Sequence, residues 1–429
     1  MSEIDKLPKK ILFASMIGGI IEFYDFSLYG TLAFAFAPLF FPSEVPFVSL
    51  LSAYAVFAVG FFARPLGSIV FGHIGDKLGR RVALFWSLML MSFATLTIGL
   101  LPSYQAIGIA APLLMISARL LQGLSAGGEY SGAIIFAIEH GLNSQAGFIG
   151  SLVAAGCMSG LLLSTLASFI CGLSLPHWSW RVPFLFGFLI SLVGIYVRFH
   201  LEETPIFINR KTKVVSQFNF WQSIQLNFKN LMAVILLAGF NGIAIYVYSV
   251  FLSSFIAKEM ALPELLTKVY TAIGTALLMF MLVLFGWLSD KVNRRYLIFS
   301  GAVLTTLIAV LLFYYLPELS FRHVIACQLV FVVALAMYSG PLNTFIIEMF
   351  QVGVRYRCAS LGYSLGMGII GGSAPLIAGL LSTYAHKHVL LAAYFVAGGI
   401  MSMFALGMLI KNPLSARENA IKNEVVLTT

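Results

Sequence analysis

Charged side chains are scarce in this sequence. Asp, Glu, Lys and Arg together make 10% of the 429 residues against 60% for the apolar types, and the mean hydropathy is +0.94. A soluble globule of that composition would leave large apolar patches in water, so a soluble fold is excluded. Cysteine is rare as well. Cys157, Cys171, Cys327 and Cys358 lie in or beside apolar runs without metal-ligand spacing, and imply neither a disulfide framework nor redox chemistry. There is no Gly-x-x-x-x-Gly-Lys-Ser/Thr run to hold a nucleotide, no low-complexity tract, and no nucleophile constellation. The chain does not read as an enzyme, and no cofactor is expected. No small-residue cleavage site follows a short apolar core near the start, so the first apolar run reads as a retained span.

What the sequence does contain is long apolar runs. Twelve can cross roughly 30 Å of hydrocarbon: about 11–41, 47–74, 81–101, 106–139, 147–174, 183–200, 231–257, 265–288, 296–316, 323–349, 359–385 and 389–410. Alternating barrel strands are not seen, so the spans are helices. The expected fold is an all-α polytopic membrane protein with two six-helix bundles, 1–200 and 231–411. A cytoplasmic loop, 201–230, separates them, and a cytoplasmic tail, 412–429, follows.

A formal net charge of +9 raises the question of a nucleic-acid partner. The positions of the basic residues answer it. With the N-terminus inside, 19 of the 26 Lys and Arg fall in inner segments and five in outer ones, leaving Arg64 and Arg119 within spans. That is the positive-inside asymmetry of a membrane protein with both termini in the cytoplasm. Basicity here reports topology, and the bilayer is the large partner.

One stretch is written twice. Gly72-His-Ile-Gly-Asp76-Lys-Leu-Gly79-Arg80-Arg81 returns as Gly286-Trp-Leu-Ser-Asp290-Lys-Val-Asn293-Arg294-Arg295, at a constant offset of 214. Each copy ends one span and begins the next. Glycine lets helix ends approach closely, an aspartate in the last turn can accept hydrogen bonds from neighbouring helix ends, and the arginines stay outside the hydrocarbon. Gly72, Asp76, Arg80 and Arg81, with Asp290, Arg294 and Arg295, are therefore candidate gating residues. A second echo, Gly150, Gly156 and Gly160 against Gly362, Gly368 and Gly372 at offset 212, supports an internal duplication.

The duplicated loops and two six-span halves resemble the major facilitator superfamily. Smaller signatures resemble its metabolite:proton symporter family: Glu22-Phe-Tyr24-Asp25-Phe-x-x-Tyr29-Gly30, Arg64-Pro-Leu-Gly67, Arg119-x-x-Gln122-Gly123-x-x-x-Gly127-Gly128-Glu129, Trp180-Arg181-x-Pro183-Phe, Glu202-Glu203-Thr204-Pro205-x-Phe207 and Val354-Arg355-Tyr-Arg357. Pro102-Ser-Tyr104-x-x-Ile-Gly108-Ile and Gly-Gly-Glu129-Tyr130-x-Gly132-Ala look most like proline/glycine-betaine porters. Phe23 stands where the family commonly has Trp, and Asn293 where the first loop copy has Gly79. The resemblance implies import of a small solute together with a proton by alternating access.

The residues carry a compatible chemistry. An ionised side chain at bilayer depth costs roughly 2.5 to 3.5 kcal/mol on the lenient insertion scale, so few are kept without use. Glu22, Asp25 and Tyr29 share one helix face, and Arg119 begins a face with Gln122, Glu129 and Tyr130. Burial favours the protonated carboxyl and a nearby arginine the ionised one, so a carboxylate that gains and loses an arginine is a proton switch. Asp25 and Arg119 are the expected switch, with Glu22 and Glu129 as further proton-coupling candidates. Arg64, near the inner third of its span, is expected to snorkel toward the interface. Arg119 is then the expected cation for a solute carboxylate. Tyr24, Tyr29, Gln122, Asn241, Tyr246 and Asn343 complete the expected solute site, with Tyr248, Tyr338 and Tyr363 as further aromatic candidates for an ammonium. The function expected is proton-driven import of a zwitterion or carboxylate, proline or glycine betaine first, by a monomer. A di- or tricarboxylate or shikimate symporter is the alternative, and a non-transporting nutrient sensor the alternative of another class.

Overall fold

A computed structural model of the chain describes residues 9–141, 145–172, 178–211 and 220–409; the expected tail, 412–429, lies outside them. Among the described residues all regular structure is helical, with no strand. The long helices are α1 (Lys9–Phe40), α2 (Pro46–Lys77), α3 (Arg80–Leu100), α4 (Ala110–His140), α5 (Ala146–Gly172) and α6 (Arg181–Phe199). They continue as α7 (Phe228–Glu259), α8 (Glu264–Leu288), α9 (Arg294–Tyr315), α10 (Phe321–Glu348), α11 (Arg355–Leu381) and α12 (Lys387–Leu409). Short helices at Tyr104–Ile107, Pro205–Lys211 and Phe220–Leu226 lie in the connections.

Eleven of the long helices are long and apolar enough to cross a membrane. The exception is α4, whose apolarity is lowered by Arg119, Gln122, Glu129 and Glu139, all four buried inside the bundle. The chain is a multi-pass membrane protein of twelve spans, and its polarity is distributed accordingly. Phe62, Phe93, Phe280 and Phe404 face outward, whereas Glu22, Asp25 and Arg119 face the interior. These charges are kept where other protein groups surround them.

Helix boundaries follow local chemistry. Pro46 opens α2, where its missing N–H costs nothing, and Gly79, at φ 123°, makes the turn into α3. Gly108, at φ 59°, separates Tyr104–Ile107 from α4, which therefore starts a turn later than the sequence run at 106. The eleventh span was expected at 359–385 and lies a turn earlier, because capped backbone at Tyr356 and Arg357 carries the helix through polar residues. Two helices contain π-helical turns, Val247–Phe251 in α7 and Ser364–Gly371 in α11. Within the first half α2 packs along α4 and α1 along α5; α5 meets α8 and α10, and α2 meets α11, across the halves.

Candidate functional site

Four residues of α1, spaced three and four apart, face the interior: Glu22, Asp25, Phe26 and Tyr29. Asp25 is fully buried, and its Oδ2 accepts a 2.7 Å hydrogen bond from Thr95 Oγ1 on α3. That hydroxyl accepts in turn from Gln122 Nε2 at 2.9 Å, and Gln122 Oε1 accepts from Arg119 Nη1 at 2.7 Å. In this arrangement Asp25 and Arg119, the expected switch, make no direct hydrogen bond. The two are joined by a relay through Thr95 and Gln122, and neither is saturated: Asp25 Oδ1 and Arg119 Nε and Nη2 are buried without a hydrogen-bond partner. The guanidinium is held off the carboxylate by rings, lying 4.4 Å from the centroids of Phe26 and Tyr29 and 5.1 Å from that of Phe57.

Arg64 corrects an expectation. It does not snorkel: it is 5% exposed, 3.5 Å from Glu22 Oε1, with its guanidinium over Phe26 at 4.2 Å and Phe61 at 5.1 Å. A carboxylate and two ring faces compensate its charge in the interior, so the interface offers no advantage. Arg119 is thus not the sole interior cation, and Phe26 stands between two guanidiniums.

Glu129 sits elsewhere. It accepts from Arg198 Nη1 at 2.8 Å, makes a second, shorter bond to Arg198 Nη2, and accepts from Ser87 Oγ at 2.6 Å. Arg198, counted from sequence only as a topology signal, also donates to the Leu84 carbonyl at 2.7 Å. The arrangement fastens α3, α4 and α6 together.

Asn241, Ser339 and Asn343 of the second half meet Phe23 and Tyr130 of the first around a void of ≈ 10 Å³. Tyr130 and Tyr363 stack across it with centroids 4.7 Å apart. Tyr246 packs edge-on against Phe61 at 5.7 Å, beside Arg64. Three expected tyrosines point away. Tyr24 donates to the Pro183 carbonyl at 2.9 Å, Tyr248 to that of Thr271 at 3.0 Å and Tyr338 to that of Leu237 at 2.8 Å, so their hydroxyls satisfy helix packing.

The repeated loops close one end of the bundle twice. Asp76 accepts from the backbone N–H of Tyr356 (3.3 Å) and Arg357 (3.1 Å) at the start of α11, and from Arg357 Nε at 3.1 Å. Asp290 accepts from the N–H of Gly147 (2.7 Å) and Phe148 (2.8 Å) at the start of α5. Each aspartate thereby caps a first helical turn of the opposite half, where unpaired N–H groups and the helix dipole favour an anion. Gly72 and Gly286 permit the approach, since a Cβ at Gly72 would meet the Arg357 backbone and one at Gly286 would meet Ser151. Arg80 Nη1 pairs with Asp76 at 3.1 Å and its Nε with Glu139 at 3.1 Å; Arg294 pairs with Asp290 at 2.7 Å and with Glu348. Arg81 and Arg295 donate to the last carbonyls of α6 and α12, Phe199 at 2.6 Å and Leu409 at 3.2 Å. Glu139, Glu348 and Glu203, which accepts from the N–H of Arg80 and Arg81, were missed by the sequence reading. The signal available was that Glu139 and Glu348 each sit at the end of a span just where the repeat recurs in space.

Residues 11–371 match the family model described as Major Facilitator Superfamily. The chain belongs to the Major Facilitator Superfamily. As a member of that superfamily it is a secondary transporter, not an enzyme, and its cargo is a small molecule. It is similar to a Staphylococcus aureus (strain COL) protein provisionally named a proline/betaine transporter, with 32% identity over 412 residues covering 94% of this chain and 88% of that one. The proline/betaine transporter of Escherichia coli (strain K12) is 30% identical over 406 residues, covering 90% and 80%. Among solved structures, the proton:xylose symporter XylE bound to 6-bromo-6-deoxy-D-glucose superimposes with a TM-score of 0.77 at 16% identity, over 94% of this chain and 95% of that one. A second, a D-xylose-proton symporter, gives 0.69 at 18% identity over 95% and 98%. These superpositions establish the superfamily fold.

Proposed function

We propose that this transporter imports a small zwitterionic or carboxylated solute, proline or glycine betaine first, together with a proton across the bacterial cytoplasmic membrane. The observation that carries the reading is the relay from Asp25 through Thr95 and Gln122 to Arg119, buried and unsaturated at both ends. A proton on Asp25 cancels the charge that the relay holds against Arg119, and release of that proton restores it. The names of the 30–32% identical relatives favour proline and betaine as cargo. The positive-inside asymmetry favours a cytoplasmic side for the latched loop end, and on that reading this arrangement of helices is closed to the inside. Gating falls to Gly72, Asp76, Arg80, Arg81, Asp290, Arg294 and Arg295, which must part for release. A monomer holds every residue of the scheme. One proton driven inward by roughly 150 mV supplies about 3.4 kcal/mol, enough for a several-hundred-fold solute gradient.

Arg64 lends weight to a second reading, a dicarboxylate symporter, because two interior cations flank Phe26. Uptake into proteoliposomes decides between them. A panel of proline, glycine betaine, 2-oxoglutarate, citrate and shikimate is assayed with and without an uncoupler. The proposal expects uncoupler-sensitive accumulation of a zwitterion, with no competition from citrate. Citrate or 2-oxoglutarate uptake without proline or betaine uptake overturns the choice of solute, and uncoupler-insensitive accumulation overturns proton coupling.

A further inference from the structure

Away from the latched end, the buried charges among the described residues of the first half are three carboxylates, Glu22, Asp25 and Glu129, and three guanidiniums, Arg64, Arg119 and Arg198. They differ in how firmly they are held. Arg198 and Glu129 share two hydrogen bonds, and Arg119 is bonded to Gln122 at 2.7 Å inside three rings. Arg64 and Glu22 touch only at 3.5 Å, well beyond the 2.7 to 2.9 Å of a charge-assisted hydrogen bond. Neither Glu22 oxygen has any hydrogen bond, and Arg64 Nε has none. Leaving such groups unmade in the interior is costly.

The position of Arg64 is equally particular. Phe26 and Phe61, edge-to-face with centroids 4.7 Å apart, pack together on one side of its guanidinium, and the N–H groups turned away from them can take a carboxylate in two parallel bonds. Phe61 packs on Tyr246 of α7, and Gly368 in the π-helical turn of α11 lies beside the Arg64 stem, where even a Cβ would come within 3.8 Å of Cδ. Arg64 therefore stands at the seam between the halves, next to irregular helical turns of the kind found at functional sites.

We propose that Arg64 is the ligand of the solute carboxylate, and that Glu22 is the resident carboxylate it gives up when the solute arrives. The inference rests on the transport reading above and adds to it a site. As the solute carboxylate forms two bonds to the guanidinium edge, the Glu22 contact breaks and Glu22 takes up a proton from the aqueous phase, so that one carboxylate charge, the solute's, faces Arg64 in place of another. The charged and titratable groups around Glu22 are Arg64 of α2, Glu129 and Tyr130 of α4, Cys157 of α5, Arg198 of α6 and Tyr246 of α7. Of these, only Arg64 forms an ion pair with it.

The test is solute binding to purified full-length protein by calorimetry between pH 5.5 and 8.5, using each carboxylate of the panel and its primary amide. Wild type should bind the acid tighter as pH falls and prefer it over the amide by at least tenfold. Glu22→Gln, which mimics the protonated state, should bind the acid about tenfold tighter at pH 8 with a flattened pH profile. Arg64→Gln should lose the preference for acid over amide, and Arg64→Lys should retain part of it, which a packing role would not produce. An intact preference in Arg64→Gln, or an unchanged pH profile in Glu22→Gln, overturns this assignment alone. If no carboxylate binds wild type, the transport reading falls and this one with it.

Discussion

Glu129 and Arg198 illustrate what a buried charge does when it is fully satisfied. Arg198 is 1% exposed and bonds both to Glu129 and to the Leu84 carbonyl, so removing it leaves a buried carboxylate without its cation, held only by Ser87. Arg198→Gln should cost roughly 3 to 5 kcal/mol and lower the thermal unfolding midpoint in detergent, with most of the loss recovered in Glu129→Gln/Arg198→Gln. A neutral single variant would show the pair to be dispensable for the fold and would strengthen Glu129 as a proton-carrying candidate. Asp25 behaves differently because it is half-satisfied. Asparagine keeps its shape and its bond from Thr95 but cannot ionise. Asp25→Asn should exchange solute in counterflow at near-normal rate while losing accumulation driven by a proton gradient. Accumulation that survives would show that the proton taken up at Glu22 with the solute drives transport without Asp25.

At the scale of the helices, the close contact of α2 with α11 is made where Gly72 faces the backbone of Arg357 and Gly75 faces Tyr356. A Cβ at Gly72 would lie 2.7 Å from Arg357 Cα, too near for either helix to stay in place. Gly72→Val should push the start of α11 off Asp76 and open the latched end. Cys358, now 1% exposed, reports it: alkylation by a polar maleimide should speed up at least tenfold in a background with the other cysteines replaced by serine. Unchanged labelling would mean that other contacts hold the end shut. The two loop copies also explain their own difference. In the second, Asn293 accepts from the N–H of Arg295 and caps α9 itself; in the first, Gly79 has no side chain and Glu203, from beyond α6, caps α3 instead.

Across the whole molecule the latch is double, with Asp76 holding the second half by α11 and Asp290 holding the first by α5. A rigid-body opening of the two halves must break both sets together. Asp76→Asn and Asp290→Asn should each leave the protein inserted but slow its turnover, and the double variant should be slowed no less than the slower single one. Normal uptake by either at normal expression would reduce that loop to a topology signal.

Sequence alone determined the number of spans, the duplication and the polar faces of α1 and α4, because apolar run length and helical period are local properties that no tertiary contact overrides. It also placed Asp76 and Asp290 correctly as acceptors for helix ends, since both sit in a last turn next to glycine. Only the tertiary structure decided which faces meet. How far each helix is rotated about its axis depends on packing against several neighbours at once, and nothing in a single helix encodes it. That rotation sets Thr95 and Gln122 between Asp25 and Arg119, turns Tyr24 toward Pro183, and brings Arg64 inward to Glu22 and two phenyl rings instead of outward to the interface.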